Sequence, residues 1–176
     1  DLVGYFVNTL VLRTDTSGDP TFQQLLARTR ETDLAAYAHQ DLPFERLVEV
    51  LNPERSTARH PLFQVMLALQ NNPLPVLDLP GVETAHQQVD ITTSKVDLSF
   101  DLTEMFTEDG APAGIEAFLQ YSLDLFDRET AQSLVTRLTR VLETVVADPA
   151  RPLSRIDVLD AAERERVLVE WNDTAH

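Results

Sequence analysis

The sequence predicts an α/β fold in which a mixed β-sheet carries packed helices. Two kinds of apolar spacing support this. Val96, Leu98, Phe100 and Leu102 alternate with Asp97, Ser99, Asp101 and Thr103, the two-residue period of a strand with one wet face. Ala131, Leu134, Val135, Leu138, Val141, Leu142, Val145 and Val146 recur instead at helical spacing. Strand-like and helix-like stretches alternate along 176 residues, of which 43% are hydrophobic. That is enough chain for one sizeable core or one lobe of something larger.

The elements follow in order. Gly4 to Arg13, GYFVNTLVLR, is apolar on both faces, Tyr5, Val7 and Val11 alternating with Phe6, Leu10 and Leu12, so it reads as a central strand buried on both sides. Asn8 and Thr9 interrupt its centre. TSGDP is a turn in which Asp19 caps a helix and Pro20 takes the first position, where a missing N–H costs nothing. Phe22, Leu25, Leu26, Ala36 and Tyr37 form that helix's stripe, interrupted by Thr29 and Asp33. A second helix runs from Pro43 to Leu51 with Phe44, Leu47, Val48 and Leu51 inward, and ends before Pro53. Phe63 to Leu69 is a strand, and NNPLPVLDLPG is a loop. Ile115 to Leu123 returns antiparallel to the strand beginning at Val96, across EDGAPAG. Asp127 caps the clearest helix, and Asp160 with Glu163 forms a capping box for a last short one.

Composition excludes several classes of function. There is no cysteine, so disulfides, thiol catalysis and cysteine-ligated metal are out, which fits a cytoplasmic protein. A net charge of −15 opposes a phosphate backbone, so nucleic acid is not an expected partner. No apolar run approaches the roughly 18 residues of a membrane span, and no signal peptide is visible, so no membrane partner is expected. His39, His60, His86 and His176 show no HxxxH or HExxH spacing, so no metal is expected. There is no GxSxG elbow and no phosphate-cradling glycine loop. Thr92, Thr93 and Ser94 offer hydroxyls together, either as turn chemistry or as a site. From Asp1 the chain opens directly on a strand of central character, and it closes on ERERVLVEWNDTAH, so it reads as a piece of a longer polypeptide.

Three motifs in order carry a resemblance. His39, Gln40, Asp41, Pro43, Phe44 and Glu45 match HQDxPFE. Arg55, Arg59, Pro61, Leu62 and Phe63 match RDxSRNPLF in part, with Ser56, Ala58 and His60 departing from it. Gly4, Phe6, Val7, Asn8, Thr9 and Arg13 match a third run. Together they resemble the condensation domains of nonribosomal peptide synthetases. VEWNDTA resembles the linker entering an adenylation domain.

The resemblance implies a lobe like chloramphenicol acetyltransferase, one of a V-shaped pair with a tunnel between them. Residues 1–158 would be the C-terminal lobe and residues 159–176 the linker. Upstream and downstream peptidyl carrier proteins would deliver substrates on phosphopantetheine arms, with no cofactor bound directly, and an acceptor amine would attack the donor thioester to form a peptide bond. The family's catalytic motif, HHxxxDG, is absent from this sequence. No catalytic residue is therefore expected in this chain, and the catalytic histidine is expected upstream of Asp1. The N-terminal lobe would be the chain's first partner and the adenylation domain its neighbour.

Asn8, Thr9, Thr93 and Ser94 are the candidates for lining the tunnel, against a local structural use of the same polar groups. His39, Gln40, Asp41, Pro43, Phe44, Glu45, Arg55, Arg59, Pro61, Leu62 and Phe63 are expected to act mainly in structure. For His39 that means capping or packing between two helices, with proton transfer as the alternative. An arm built from the strands around EDGAPAG would reach across to the other lobe. Other classes remain open: an epimerising or ester-forming relative, against the first of which the Asn8–Thr9 pair argues, and a non-catalytic scaffold lobe that binds carrier or tailoring proteins.

Overall fold

The computed structural model describes residues 4, 7–54, 56, 59–70, 81, 93–107 and 109–174. It divides into two units, residues 54–127 and residues 1–53 with 128–176. Asp1, the point upstream of which the catalytic histidine is expected, lies outside the described residues.

Residues 54–127 hold a three-stranded mixed sheet in the order β1 (Val65–Gln70), β2 (Leu98–Phe106), β3 (Pro112–Tyr121). β2 runs parallel to β1, from Val65 opposite Leu98 to Gln70 opposite Thr103. It runs antiparallel to β3, from Leu98 opposite Tyr121 to Phe106 opposite Pro112, with a bulge at Met105/Phe106. The expected Val96 strand and its antiparallel return are both present. The Phe63–Leu69 strand begins two residues later than expected, and the NNPLP loop, residues 71–80, lies outside the described residues.

The register puts Val65, Leu67 and Leu69 on one face with Leu98, Phe100, Leu102, Tyr121, Leu119 and Ala117. The opposite face was expected to be wet. Instead Ser99 is buried and Asp101 half-buried, while Leu67 on the apolar face is 68% exposed. Alternation tells which side chains share a face; it does not tell which face the remaining chain covers.

In residues 1–53 with 128–176, α1 (Phe22–Tyr37), α2 (Phe44–Leu51) and α3 (Arg128–Ala147) form where the helical spacing places them, and α4 (Ala161–Leu168) where the Asp160–Glu163 box does. The start of α1 differs from expectation. Its N-cap is Thr21, whose hydroxyl accepts from Gln24 N while the Gln24 side chain accepts from Thr21 N, a complete capping box. Asp19 is used elsewhere. At φ 49 it turns its carboxylate onto the 3-10 turn Leu153–Arg155, accepting from Ser154 N at 2.8 Å and from Ser154 Oγ at 2.7 Å. The neighbouring backbone continues the clasp. Leu153 N donates to Pro20 O, Phe22 N to Arg151 O and Gln23 N to Pro149 O, and Pro20 is fully buried. A short polar side chain that tolerates left-handed backbone suits Asp19 to this corner.

The half-buried side of α1 runs Phe22, Leu25, Thr29, Asp33, Ala36, so Thr29 and Asp33 belong to the inward stripe and Leu26 and Tyr37 do not. α2 turns Phe44, Leu47 and Val48 inward, but Leu51, expected with them, is 58% exposed. Its last turn is closed by Asn52 in the left-handed region, whose N–H donates to Val48 O at 2.9 Å. On α3, Ala131 and Val145 are buried, and Leu134, Leu138 and Val141 half-buried; Val135, Leu142 and Val146 are exposed. α4 starts with the expected Asp160–Glu163 box. Glu163 also accepts from Arg137 Nε at 3.2 Å and Nη2 at 2.8 Å, tying α4 to α3.

The opening strand departs furthest from expectation. Residues 7–16 belong to no strand, and Val7 is 68% and Leu12 45% exposed. A central strand requires a ladder partner on each side, and among the described residues no backbone group pairs with this segment. Asn8 is accordingly exposed rather than set in a buried strand.

The bonds from Ser154 N and Oγ hold the Asp19 carboxyl below its ordinary value of 3.8. Because the folded value is depressed, the stabilisation is present above 3.8 and is lost as pH falls through the lower folded value. Thermal unfolding of the wild-type chain and of Asp19→Asn should therefore converge as pH drops below about 3.8. A gap in melting temperature that stays constant from pH 7 to pH 2 would show that this carboxylate does not contribute.

Candidate functional site

The HQDLPFE stretch is the connection between α1 and α2. α1 is closed by Ala38 N donating to Leu34 O, His39 N to Ala36 O and Gln40 N to Tyr37 O; Leu42 N then folds back on His39 O at 3.1 Å. Pro43 stands before α2 with φ −60 and offers its carbonyl to Arg46 N and Leu47 N. Proline suits this position because it has no N–H to leave unpaired. These turns use the loop's N–H groups inward and leave two carbonyls, those of Gln40 and Leu42, facing Asn8.

Asn8 takes both. Its Nδ2 donates to Gln40 O and to Leu42 O, each at 2.7 Å, and its Oδ1 accepts from Thr9 N at 2.9 Å. A primary amide has two N–H donors and two acceptor lone pairs. Both donors are engaged, and one lone pair of Oδ1 remains.

An open hollow of ≈490 Å³ lies beside this clamp. Val7, Asn8 and Thr9 form one wall; Gln40, Asp41 and Pro43 from the loop, with Phe44 and Glu45 from α2, form the other. Its polar lining is rich in acceptors: two carboxylates, the spare Asn8 lone pair and the Thr9 hydroxyl. Such a lining favours a guest that donates N–H or carries positive charge.

The structure thus gathers Asn8, Thr9, Gln40, Asp41, Pro43, Phe44 and Glu45 at one place. Thr93 and Ser94 belong to the sheet unit. Ser94 Oγ donates to Val96 O, and Thr93 O accepts from Gln120 Nε2 at 3.1 Å, so both support the entry to β2. Thr92 lies outside the described residues. In the partly matched motif, Leu62 and Phe63 are half-buried, Arg59 and Pro61 exposed, and Arg55 outside the described residues. The His60 ring packs on Phe63 with centroids 4.0 Å apart.

The sequence does not reveal the Gln40 and Leu42 carbonyls, because no side-chain pattern encodes a carbonyl's direction. Leu42 occupies the position that HQDxPFE leaves open, and only its backbone is used in the clamp.

His39 is exposed, and its side chain makes no hydrogen bond among the described residues. Its backbone, which any residue supplies, takes part in closing α1 and in the turn to Leu42. His39→Ala should shift unfolding by no more than about 0.5 kcal/mol. A loss of several times that in denaturant melts would restore a packing role to the imidazole.

Comparison with known proteins bears on this arrangement. A profile of the condensation domain matches residues 1–168. The chain is 53% identical over 175 residues to a dimodular nonribosomal peptide synthase of Bacillus subtilis (strain 168), covering 99% of this chain and 7% of that protein. It is 44% identical over 174 residues to a chondramide synthase of Chondromyces crocatus, covering 99% and 4% respectively. Among solved structures, the X-domain from teicoplanin biosynthesis superposes with a TM-score of 0.78 at 41% identity, over 84% of this chain and 33% of that one. The same domain in complex with OxyB gives 0.76 at 42%, over 85% and 32%. The chain thus spans less than a tenth of these two synthases and about a third of the X-domain chain. With a condensation-domain profile matching nearly its whole length and a nonribosomal peptide synthase about half identical to it, the chain belongs to the condensation domain family of nonribosomal peptide synthetases.

Proposed function

We propose that this chain is the C-terminal lobe of a condensation domain and that, in the complete domain, it forms one wall of the tunnel in which a peptide bond is made. The observation that carries this reading is the meeting of the Asn8–Thr9 pair with the HQDLPFE loop around an acceptor-lined hollow. An attacking aminoacyl amine is an N–H donor, and it is the kind of group such a lining orients. The amine nitrogen bonds to the donor's thioester carbon, the carbon–sulfur bond breaks with its electron pair going to sulfur, and the proton lost by the amine passes through a base to that sulfur, so that the donor carrier's phosphopantetheine is released as a thiol. HHxxxDG is absent from this sequence, so that base belongs to the other lobe, upstream of Asp1. The partners are the N-terminal lobe, the peptidyl carrier proteins on either side and the adenylation domain. Residues 159–176 serve as the linker toward the last of these, anchored at its start where Glu163 of α4 binds Arg137 of α3.

A second reading is favoured by one observation. The chain is 42% identical to an X-domain solved in complex with OxyB. A lobe of this kind that holds a tailoring protein and makes no bond would have the same fold. In the first reading, the chain alone, incubated with a donor-loaded and an acceptor-loaded carrier protein, forms no dipeptide thioester above background, and adding the N-terminal lobe starts turnover. Product from the chain alone would overturn the assignment of the base to the other lobe. A complete domain that binds a partner without any turnover would favour the scaffold. The stereochemistry of the product, or an ester in place of an amide, would identify the epimerising or ester-forming alternatives.

The same reading gives the sheet a contact with the N-terminal lobe. Among the described residues β1 accompanies β2 as far as Thr103, beyond which Glu104–Phe106 pair with Pro112–Ile115 as a ribbon. Phe106 is 58% and Ile115 60% exposed on it. In our reading this ribbon is the arm that crosses to the N-terminal lobe. The amides of Met105, Phe106 and Ile115 should exchange markedly more slowly in the complete domain than in this chain alone; equal rates would count against the arm.

A further inference from the structure

Resting on the tunnel-wall reading, we propose that Asn8 is a positioning residue: it acts on the reaction by holding the α1–α2 loop against the 7–9 segment, not by donating a hydrogen bond to the substrate. Both Nδ2 hydrogens are committed to Gln40 O and Leu42 O at 2.7 Å, and Oδ1 is engaged by Thr9 N at 2.9 Å. Asn8 therefore has no donor to offer a carbonyl or an oxyanion, because turning its amide toward one would break two short bonds to backbone carbonyls that have no other partner among the described residues. What Asn8 controls is the separation of the two walls of the hollow. Its two bonds bridge 32 and 34 residues of chain, and they join the wall carrying Val7 and Thr9 to the one carrying Asp41, Pro43 and Glu45. Loss of the amide frees the loop to move by the order of an ångström, and a shift of that size in a positioning wall costs up to roughly 100-fold in rate.

The test separates positioning from contact and from simple structure, and it uses the complete condensation domain. Three variants are compared with the unmodified domain: Asn8→Asp, which is isosteric but loses both donors; a single glycine inserted between Gln40 and Asp41, which displaces the loop carbonyls and leaves Asn8 intact; and the two combined. Condensation is measured with an acetyl-loaded donor carrier and whichever aminoacyl-loaded acceptor carrier gives most product with the unmodified domain. The fraction folded is read in parallel from circular dichroism. Each single change should lower kcat/KM per folded molecule by roughly 10- to 100-fold. The double variant should lose little more than either single one, because both break the same clamp. Multiplicative losses would mean that Asn8 also works independently of the loop, and unchanged kcat/KM in either single variant would mean that the clamp serves the fold alone; both overturn the proposal. A reading that needs no variant is hydrogen exchange at the Asn8 side-chain amide of the unmodified domain. Both protons should be protected with and without the loaded acceptor carrier, and protection that appears only with the carrier would make Asn8 a substrate contact. Should the unmodified domain make no product with any acceptor, the tunnel-wall reading itself has failed, and the amide exchange still decides whether the clamp exists.

Discussion

The unit built from residues 1–53 and 128–176 depends on one clasp. Asp19, Pro20, Thr21, Phe22 and Gln23 at the entry to α1 bind the backbone of residues 149–154 beyond α3. The Asp19–Ser154 contact closes 135 residues of chain, yet closure entropy grows only logarithmically, by about 0.6 kcal/mol per doubling of loop length. Four backbone-backed bonds and a buried proline offset such a cost readily. The clasp also explains why α1 begins at Thr21 and not at Asp19. The carboxylate is spent on the distant partner, and the capping function passes to the next side chain able to perform it.

The same logic of committed polar groups governs the candidate site. Asn8 is exposed, so water could satisfy its amide at little cost; the chain instead engages it with two carbonyls of a loop more than thirty residues away. That choice joins two sequence motifs more than thirty residues apart. It also divides the HQDLPFE residues by function. Pro43 and the loop backbone fix the turn, Asp41 and Glu45 supply charge to the hollow, and His39 lends only its backbone. The imidazole of His39 is exposed and in no hydrogen bond among the described residues.

The sheet has a different character. Leu67, Leu69 and Val65 are all more than half exposed on its apolar face, and β1 presents apolar residues on both of its sides. Edge strands of this composition are normally paired or covered.

Much of this was legible in the residues. Helical spacing located α1 to α3, the Asp160–Glu163 box located α4, and the two-residue alternation located β2, with β3 as its return across the turn. These are local signals, fixed by side-chain periodicity and by hydrogen bonds that span three or four residues. Family membership was equally legible, since motifs survive as short runs. The sequence misled where a residue's use depends on distant chain. Gly4–Arg13 has the composition of a central strand but lacks a ladder partner among the described residues, and Ser99 sits on the polar side of β2 yet is buried. By itself, then, the sequence determined the family, the four helices and the three strands of the sheet. Only the tertiary structure decided that Asp19 would bind Ser154 and that Asn8 would clamp the Gln40 and Leu42 carbonyls, because a polar side chain's partner is whichever donor or acceptor the fold brings within about 3 Å, and no local pattern records which one that is.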